Sequence, residues 1–132
     1  MSKPFVDSNV ILYLLSGDTA KADRAQDIVA AGAVISVQVL NEVTSVCHRK
    51  LKLPWPETEA LLMTVKAACE VVTLTLTSHE KAVALAKRFN LSFYDAHIVA
   101  CAVLSGAQRL LTEDLQDGLK IETLSIHNPF KL

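Results

Sequence analysis

Four acidic residues in this 132-residue sequence follow or occupy elements that could bring their carboxylates together. Asp7 follows the apolar stretch of "KPFVD", and Asp114 follows the apolar stretch of "LLTED". Glu42 in "VLNEV" and Asp95 in "SFYDAHIVA" lie within segments of helical periodicity. Carboxylates that gather at one place repel one another, and their pKa values rise unless a cation lies between them. The set therefore favours a site for a divalent cation such as Mg²⁺, which takes oxygen ligands and binds phosphate directly.

A carboxylate-held Mg²⁺ can polarise a phosphodiester, generate hydroxide and stabilise the leaving oxygen. It would also allow an acidic pocket to accept a polyanion. Each acid taken alone has a simpler interpretation. Asp7 and Asp95 could only cap helices. Glu42 could be a solvated helix residue, and Asp114 could belong to a polar turn. The functional interpretation therefore depends on all of these acids together.

Predicted strands alternate with predicted helices, and these elements must position the acids. The strands are predicted at residues 3–6, 33–36, 71–76, 109–112 and 121–125. The helices are predicted at residues 9–15, 19–31, 37–51, 56–69, 77–89 and 93–104. Strands that are separated by helices pair in parallel and are covered on both faces. The expected fold class is therefore α/β, a three-layer α/β/α sandwich with a central, mainly parallel sheet of about five strands.

The expected position of the site follows from this fold. In an open parallel sheet, functional sites lie outside the carboxyl ends of the strands. Asp7 and Asp114 both follow strands, and we expect them at the same edge of the sheet. Glu42 and Asp95 lie on helices that could lean over this edge, although spacing alone does not establish that they converge.

Length and composition describe one ordinary globular domain covering residues 1–132. The net charge of −1 excludes a strong overall positive field, so an anionic partner must be held by a local patch or through a metal. Cys47, Cys69 and Cys101 are widely spaced and odd in number, which predicts reduced thiols in the core. Neither a signal-peptide layout nor a membrane-length apolar run is found, so we expect a cytoplasmic protein without membrane contact.

Four motifs in order make this sequence resemble the PIN-domain family, and within it the VapC-type toxins of bacterial toxin–antitoxin pairs. They are "FVDSNVILYLL", "VLNEV", "FYDAHIVACA" and "LLTEDLQDG", and the closing "HNPF" also recurs in similar toxins. The resemblance implies a metal-dependent endoribonuclease that uses Mg²⁺ or Mn²⁺ and a metal-activated water to cleave RNA. It assigns catalysis and metal binding to Asp7, Glu42, Asp95 and Asp114. It further implies a separate antitoxin chain as a partner and a homodimer.

The resemblance also suggests residues that support the acids. Thr112 matches a hydroxyl residue two positions before the last acid, and Asn9 follows the first acid by two. Both are expected to hold the acids by hydrogen bonds. Asp117 is a candidate outer ligand, and it could equally form a turn with Gly118.

A basic cluster at the end of one predicted helix is a candidate RNA contact. It contains Arg49, Lys50 and Lys52, which could bind RNA phosphates or only complement the helix dipole. Trp55, between two prolines, could stack on a base, although packing at a helix–helix corner is the favoured interpretation. His97 is interpreted as an ordinary, partly exposed histidine.

Three other functions are compatible with parts of the pattern. A phosphatase of the haloacid dehalogenase type also places an Asp after its first strand, but it requires a second Asp where this sequence has Asn9. A phosphoacceptor receiver domain has no place for Glu42 or Asp114. A PIN-like module that binds RNA or protein without cutting it remains open, although the intact set of acids favours an enzyme.

Overall fold

The computed structural model describes residues 2–131, which form a six-stranded sheet with helices packed around it. The strands are β1 Phe5–Val6, β2 Ala33–Ser36, β3 Cys69–Val72, β4 Arg109–Leu111, β5 Lys120–Ile121 and β6 Leu124–His127. The helices are α1 Ser8–Leu12, α2 Thr19–Ala31, α3 Val37–Arg49, α4 Trp55–Ala68, α5 Leu76–Phe89 and α6 Phe93–Leu104. All residues of β1 and β2 are buried, so the centre of the sheet is covered on both faces.

The order of strands in the sheet is β3-β2-β1-β4-β6-β5. Every neighbouring pair is parallel except β5 with β6. The register pairs Val6 with Leu111, so the chain leaves β1 and β4 side by side at the same edge. The predicted α/β class with a mainly parallel sheet is confirmed, and β1 and β4 bring Asp7 next to Thr112.

The sheet has one strand more than the sequence analysis predicted. Residues 121–125 were expected to form a single strand, whereas β5 and β6 form a tight hairpin there. Glu122 makes the turn possible by adopting a left-handed conformation with a φ of 55°. Non-glycine residues seldom adopt this conformation, and the local sequence carries no Asn-Gly or Asp-Gly signal between the two strands.

The predicted strand at residues 71–76 was also placed wrongly. The strand begins at Cys69 and ends at Val72, and α5 begins at Leu76 instead of at residue 77. The reason is a capping box, in which the Thr75 hydroxyl accepts from the Ser78 amide and the Ser78 hydroxyl accepts from the Thr75 amide. This cap begins the helix at a point where β-branched residues predicted that the strand would continue.

Helix α6 crosses the centre of the core. Every residue from Ala96 to Ala102 is buried, which is expected of a helix surrounded by other elements. The predicted reduced cysteines are confirmed, because Cys47, Cys69 and Cys101 are all free and buried. The core thus holds rigidly the helix whose first turn carries Asp95.

His97 is buried, contrary to the partly exposed position predicted for it. Its ring lies on the core side of α6, and its Nε2 atom lies 2.9 Å from the Ser78 hydroxyl of α5. Burial and the nearby His79 lower the pKa of His97 from its ordinary 6.5. This histidine therefore acts as a neutral bridge between α5 and α6.

We expect the wild type to lose stability relative to His97→Gln as the pH falls below about 6.5. The unfolded chain takes up a proton at His97 in that range, whereas the folded state resists it, so protonation favours unfolding. Urea unfolding of both proteins at several pH values between about 5 and 8 measures the difference in unfolding free energy. A difference that stays constant over this range would contradict the prediction.

Candidate active site

Asp7 is the most deeply buried of the candidate acids, with only 3% of its surface exposed. One carboxylate oxygen, Oδ1, accepts from the Ser8 amide at 2.7 Å, and the other, Oδ2, accepts from the Thr112 hydroxyl at 2.8 Å. Burial raises the pKa of Asp7 to about 6, these hydrogen bonds oppose the rise, and the charges of Glu42 and Asp95 add to it. Keeping a charged carboxylate at this buried position therefore lowers the stability of the folded state.

Ser8 connects the first acid to the second. Its hydroxyl donates to Oε1 of Glu42 at 2.7 Å and lies 3.3 Å from Oδ1 of Asp7. The other oxygen of Glu42 accepts from Gln38, one turn earlier on α3, at 3.1 Å. The sequence analysis did not assign this role to Ser8, although its position directly after Asp7 placed it close to the first acid. Gln38 could also have been found, because it lies four residues before Glu42 on the same helix face.

Asn9 connects the first acid to the last. Its Nδ2 atom lies 3.3 Å from Oδ2 of Asp7, 3.0 Å from the Thr112 hydroxyl and 3.1 Å from Oδ2 of Asp114. The Asp114 amide in turn donates to the Thr112 hydroxyl at 3.1 Å. Asn9 and Thr112 therefore both contact candidate acids, and Asp114 forms the exposed rim of the site.

Asp95 lies in the first turn of α6, where Ser92 caps the helix by accepting from the Asp95 amide at 3.3 Å. Its side chain is half-buried, and its charge is one of the causes of the raised pKa of Asp7. Helix α6 thus carries Asp95 in its first turn, and no hydrogen bond among residues 2–131 joins its side chain to the other three acids.

The charges of the site are not balanced by the protein. Among residues 2–131, no lysine, arginine or histidine forms an ion pair with any of the four acids. In this part of the chain, no group of three acidic, histidine or cysteine side chains is arranged as a metal-binding cluster. The Asn9 amide and the Ser8 hydroxyl lie between the carboxylates. The four acids offer carboxylate oxygens, which are the ligands that Mg²⁺ and Mn²⁺ prefer. The chemistry of the four side chains therefore fits such an ion.

Asp117 is engaged elsewhere. Its Oδ1 atom accepts from the Asn128 amide at 2.8 Å, and its Oδ2 atom lies 3.9 Å from the Lys131 ammonium group. Gly118, which follows, has a φ of 87° and donates its amide to Ile126. Asp117 and Gly118 thus lie in a turn, and these contacts connect Asn128 and Lys131 to the β4–β5 connection; the outer-ligand role of Asp117 stays a prediction.

The predicted basic cluster is exposed at the end of α3 and just beyond it. Arg49, Lys50 and Lys52 all lie on the surface. Arg49 is seven residues after Glu42, which places it on the same helix face about 10 Å further along. Trp55 packs at the α3–α4 corner as predicted, stacked on His48 with ring centroids 4.7 Å apart, while half of its surface stays exposed.

The fold and the carboxyl-edge acids define a class of α/β protein with an acidic site at the end of its central strands. The chain belongs to the PIN-domain family, whose sequence profile matches residues 5–116. PIN domains are a family of nucleases and typically use divalent metals. No curated protein sequence matches the chain significantly.

Solved structures of low sequence identity share the fold. A toxin–antitoxin complex from Klebsiella pneumoniae matches at 21% identity and a TM-score of 0.75, covering 98% of this chain and 99% of that chain. VapC20 of Mycobacterium tuberculosis, a toxin that cleaves the sarcin–ricin loop, matches at 20% identity and a TM-score of 0.62, covering 80% and 85%. VapBC2 from Rickettsia felis, bound to a promoter DNA fragment, matches at 17% identity and a TM-score of 0.69, covering 94% and 96%. No helix among residues 2–131 is long and apolar enough to span a membrane.

Proposed function

We propose that this protein is a metal-dependent endoribonuclease that cleaves RNA phosphodiester bonds, and that it is the toxin of a type II toxin–antitoxin pair. One observation carries the proposal. Hydrogen bonds through Ser8 and Asn9 connect Asp7, Glu42 and Asp114 at the carboxyl edge of the sheet, and the charge of Asp95 adds to the raised pKa of Asp7. No basic residue among residues 2–131 pairs with any of the four acids. A protein tolerates such unbalanced charge where a cation is to be bound.

In this proposal, Asp7, Glu42, Asp95 and Asp114 hold Mg²⁺ or Mn²⁺ through their carboxylate oxygens. The bound ion supplies Lewis acidity toward the phosphodiester and lowers the pKa of a water molecule. Ser8 and Thr112 orient Asp7, and their hydrogen bonds favour its ionised form, which is the form that binds metal. The exposed rim at Asp114 leaves the site open to a large substrate.

The exposed cations at the end of α3 are proposed to bind the RNA backbone. Arg49 lies on the same helix face as Glu42. One or two nucleotides of an RNA strand lying across the site would span the distance between these two residues. Arg49, Lys50 and Lys52 form no ion pair with an acid in the described part of the chain, so they are available to phosphates. The exposed face of Trp55 next to them offers a surface on which a base can stack.

We expect Arg49→Ala combined with Lys50→Ala to weaken RNA binding and to reduce the slope of log K against log salt by about 1 to 1.5, because two phosphate contacts are lost. Metal affinity should stay unchanged. Lys87→Ala combined with Arg88→Ala removes the same charge from the end of α5 and is the matched control. An equal effect of both pairs would show that only net charge matters, and a fall in metal affinity would show that the patch is part of the acidic site.

An antitoxin chain and a second copy of this chain are the proposed protein partners. The antitoxin proposal rests on the PIN-family membership and on the shared fold with toxins solved in toxin–antitoxin complexes. An apolar groove between α2 and α4, lined by Leu14, Leu15, Val29 and Leu61, offers surface for a partner. The homodimer proposal rests on family resemblance, and sedimentation of the purified protein tests it directly.

Cleavage of total cellular RNA by the purified protein tests the proposed function. We expect cleavage with Mg²⁺ or Mn²⁺, none with excess EDTA, and recovery when the metal is restored. Cleavage that persists in EDTA would contradict a metal-dependent mechanism. If no RNA is cut and calorimetry detects no Mn²⁺ binding, the protein is instead a PIN-like module that binds RNA or protein without cutting it.

A further inference from the structure

Residues 128–130 are held beside the acidic site by hydrogen bonds. The Asn128 amide is held by Asp117, and the carbonyl of Pro129 accepts from Nε of Arg24 at 3.2 Å. The Asn128 side chain accepts from the Phe130 amide at 2.9 Å and closes a local turn. These contacts direct the Phe130 ring back onto the body of the domain. The closing "HNPF" motif therefore has a defined place in the fold, which the proposed catalytic residues do not explain.

Phe130 completes a small cluster with Tyr13 and Lys21. The Phe130 and Tyr13 rings pack edge to face, with centroids 4.7 Å apart and an angle of 65° between their planes. The Lys21 ammonium group lies 4.6 Å from the centre of the Tyr13 ring and 5.4 Å from that of Phe130. The two rings thus confine the flexible lysine side chain to one place.

The confined groups hold Glu113. Lys21 donates to Oε2 of Glu113 at 2.9 Å and to the Tyr13 hydroxyl at 3.0 Å, and the Tyr13 hydroxyl donates to Oε1 of Glu113. Both oxygens of Glu113 are therefore engaged, one by Tyr13 and the other by Lys21. This arrangement fixes the segment between Thr112 and Asp114 from its outer side.

Glu113 in turn sets the orientation of Asn9. Its backbone amide donates to Oδ1 of Asn9 at 3.1 Å. Because an amide side chain has one oxygen and one nitrogen, this bond directs the Nδ2 group towards Asp7 and Asp114, which it contacts at 3.3 Å and 3.1 Å. The contacts therefore form one continuous path from Phe130 through Glu113 to the acids.

We propose that Tyr13, Lys21 and Phe130 are positioning residues for the acidic site, acting through Glu113 and Asn9. The inference rests on the proposed function, because it takes the acids as metal ligands. These three residues thereby set the spacing of Asp7 and Asp114 without contacting substrate or metal.

Tyr13→Phe tests the proposal, because it removes only the hydroxyl and leaves the ring packed on Phe130. We expect the Mn²⁺ dissociation constant, measured by calorimetry, to rise roughly 3- to 10-fold. In cleavage assays kcat should fall while the KM for RNA stays within about twofold, since no substrate contact is lost. Lys21→Met should act in the same way. Unchanged Mn²⁺ affinity and kcat in both variants would overturn the proposal.

A matched control separates positioning from the loss of any ion pair. Lys81 pairs with Glu122 and has nearly the same side-chain exposure as Lys21, at 29% against 33%. The Lys81–Glu122 pair joins α5 to the β5–β6 turn and contacts none of the four acids. Lys81→Met should therefore leave metal affinity and kcat unchanged. If it lowers them as much as Lys21→Met does, a general loss of stability is the cause and the proposal fails.

A second measurement remains informative even if the protein proves not to be a nuclease. Hydrogen exchange of the Asn9 side-chain amide and the Glu113 backbone amide, followed by NMR without metal, should become faster in Tyr13→Phe and Phe130→Ala. Phe130→Tyr, which keeps the ring, should restore slow exchange. Unchanged exchange in Tyr13→Phe would overturn the coupling itself. A wild type that binds no Mn²⁺ and cuts no RNA would instead remove the proposed function.

Discussion

Asp7→Asn is expected to abolish metal-dependent RNA cleavage, with a loss of at least about a hundredfold, while the fold is kept. The asparagine has almost the same shape, and its one side-chain oxygen can keep one of the two acceptor contacts of Asp7, either from the Thr112 hydroxyl or from the Ser8 amide. It carries no charge, so the most buried of the acids no longer attracts a cation. Cleavage assays with Mn²⁺ and calorimetric titration with Mn²⁺ should lose their signals together.

The same substitution is expected to stabilise the metal-free protein at neutral and alkaline pH. Because the folded-state pKa of Asp7 is raised from 3.8 to about 6, the wild-type carboxyl contributes stability that is present below about pH 4 and is lost as the pH rises through about 6. A shift of about two units corresponds to about 3 kcal/mol of unfolding free energy. Urea unfolding in EDTA should show Asp7→Asn as the more stable protein at about pH 8 and nearly equal stability at about pH 4.

Saturating Mn²⁺ should reverse this order at about pH 8, because only the wild type gains stability from binding the ion. The reversal ties the stability measurement to the function. Cleavage by Asp7→Asn at the wild-type rate would point to a contaminating ribonuclease or to a wrongly placed site. Equal stability of the two proteins at all pH values would show that burial does not raise the pKa of Asp7.

Thr112→Val is expected to reduce both stability and cleavage, because the Thr112 hydroxyl is a central donor and acceptor of the site. It donates to Asp7 and accepts from Asn9 and from the Asp114 amide, and it is fully buried. Loss of these bonds should lower the free energy of unfolding by about 1–3 kcal/mol and cleavage by about 10- to 100-fold. The pKa of Asp7 should also rise further, since the Thr112 bond lowers it.

Thr58→Val is the matched control for this substitution. Thr58 lies in the first turn of α4 and is as completely buried as Thr112, but its hydroxyl has no hydrogen-bond partner in the described part of the chain. The same exchange of a hydroxyl for a methyl group should therefore leave stability unchanged or raise it by about 1 kcal/mol, without altering cleavage. If both substitutions cost the same, volume or backbone effects dominate, and the hydrogen bonds of Thr112 are not responsible.

Much of the fold could be predicted because its signals are local. Gly32 after α2, Ser36 before α3 and the buried apolar runs of β1, β2 and β4 mark element ends through capping and burial, which depend on neighbouring residues. The errors arose where a tertiary or capping interaction overrode propensity, as at Thr75 and at the Glu122 turn. Parallel pairing then explains why Asp7 and Asp114 share an edge. Their assignment as metal ligands stays a prediction, which Asp7→Asn tests.

The order of elements and the candidate acids could be predicted from periodicity and spacing along the chain, and the family from the resemblance of four short motifs. The contacts that connect the acids could not. Ser8 contacts Glu42 across 34 residues and Asn9 contacts Asp114 across 105, and Asp117 accepts from the Asn128 amide. Hydrogen bonds depend on distance and direction within fractions of an ångström, and only the packing of the strands and helices sets these. The folded chain thus assigns to Tyr13, Lys21 and Phe130 a place beside the acids that no spacing in the sequence indicates.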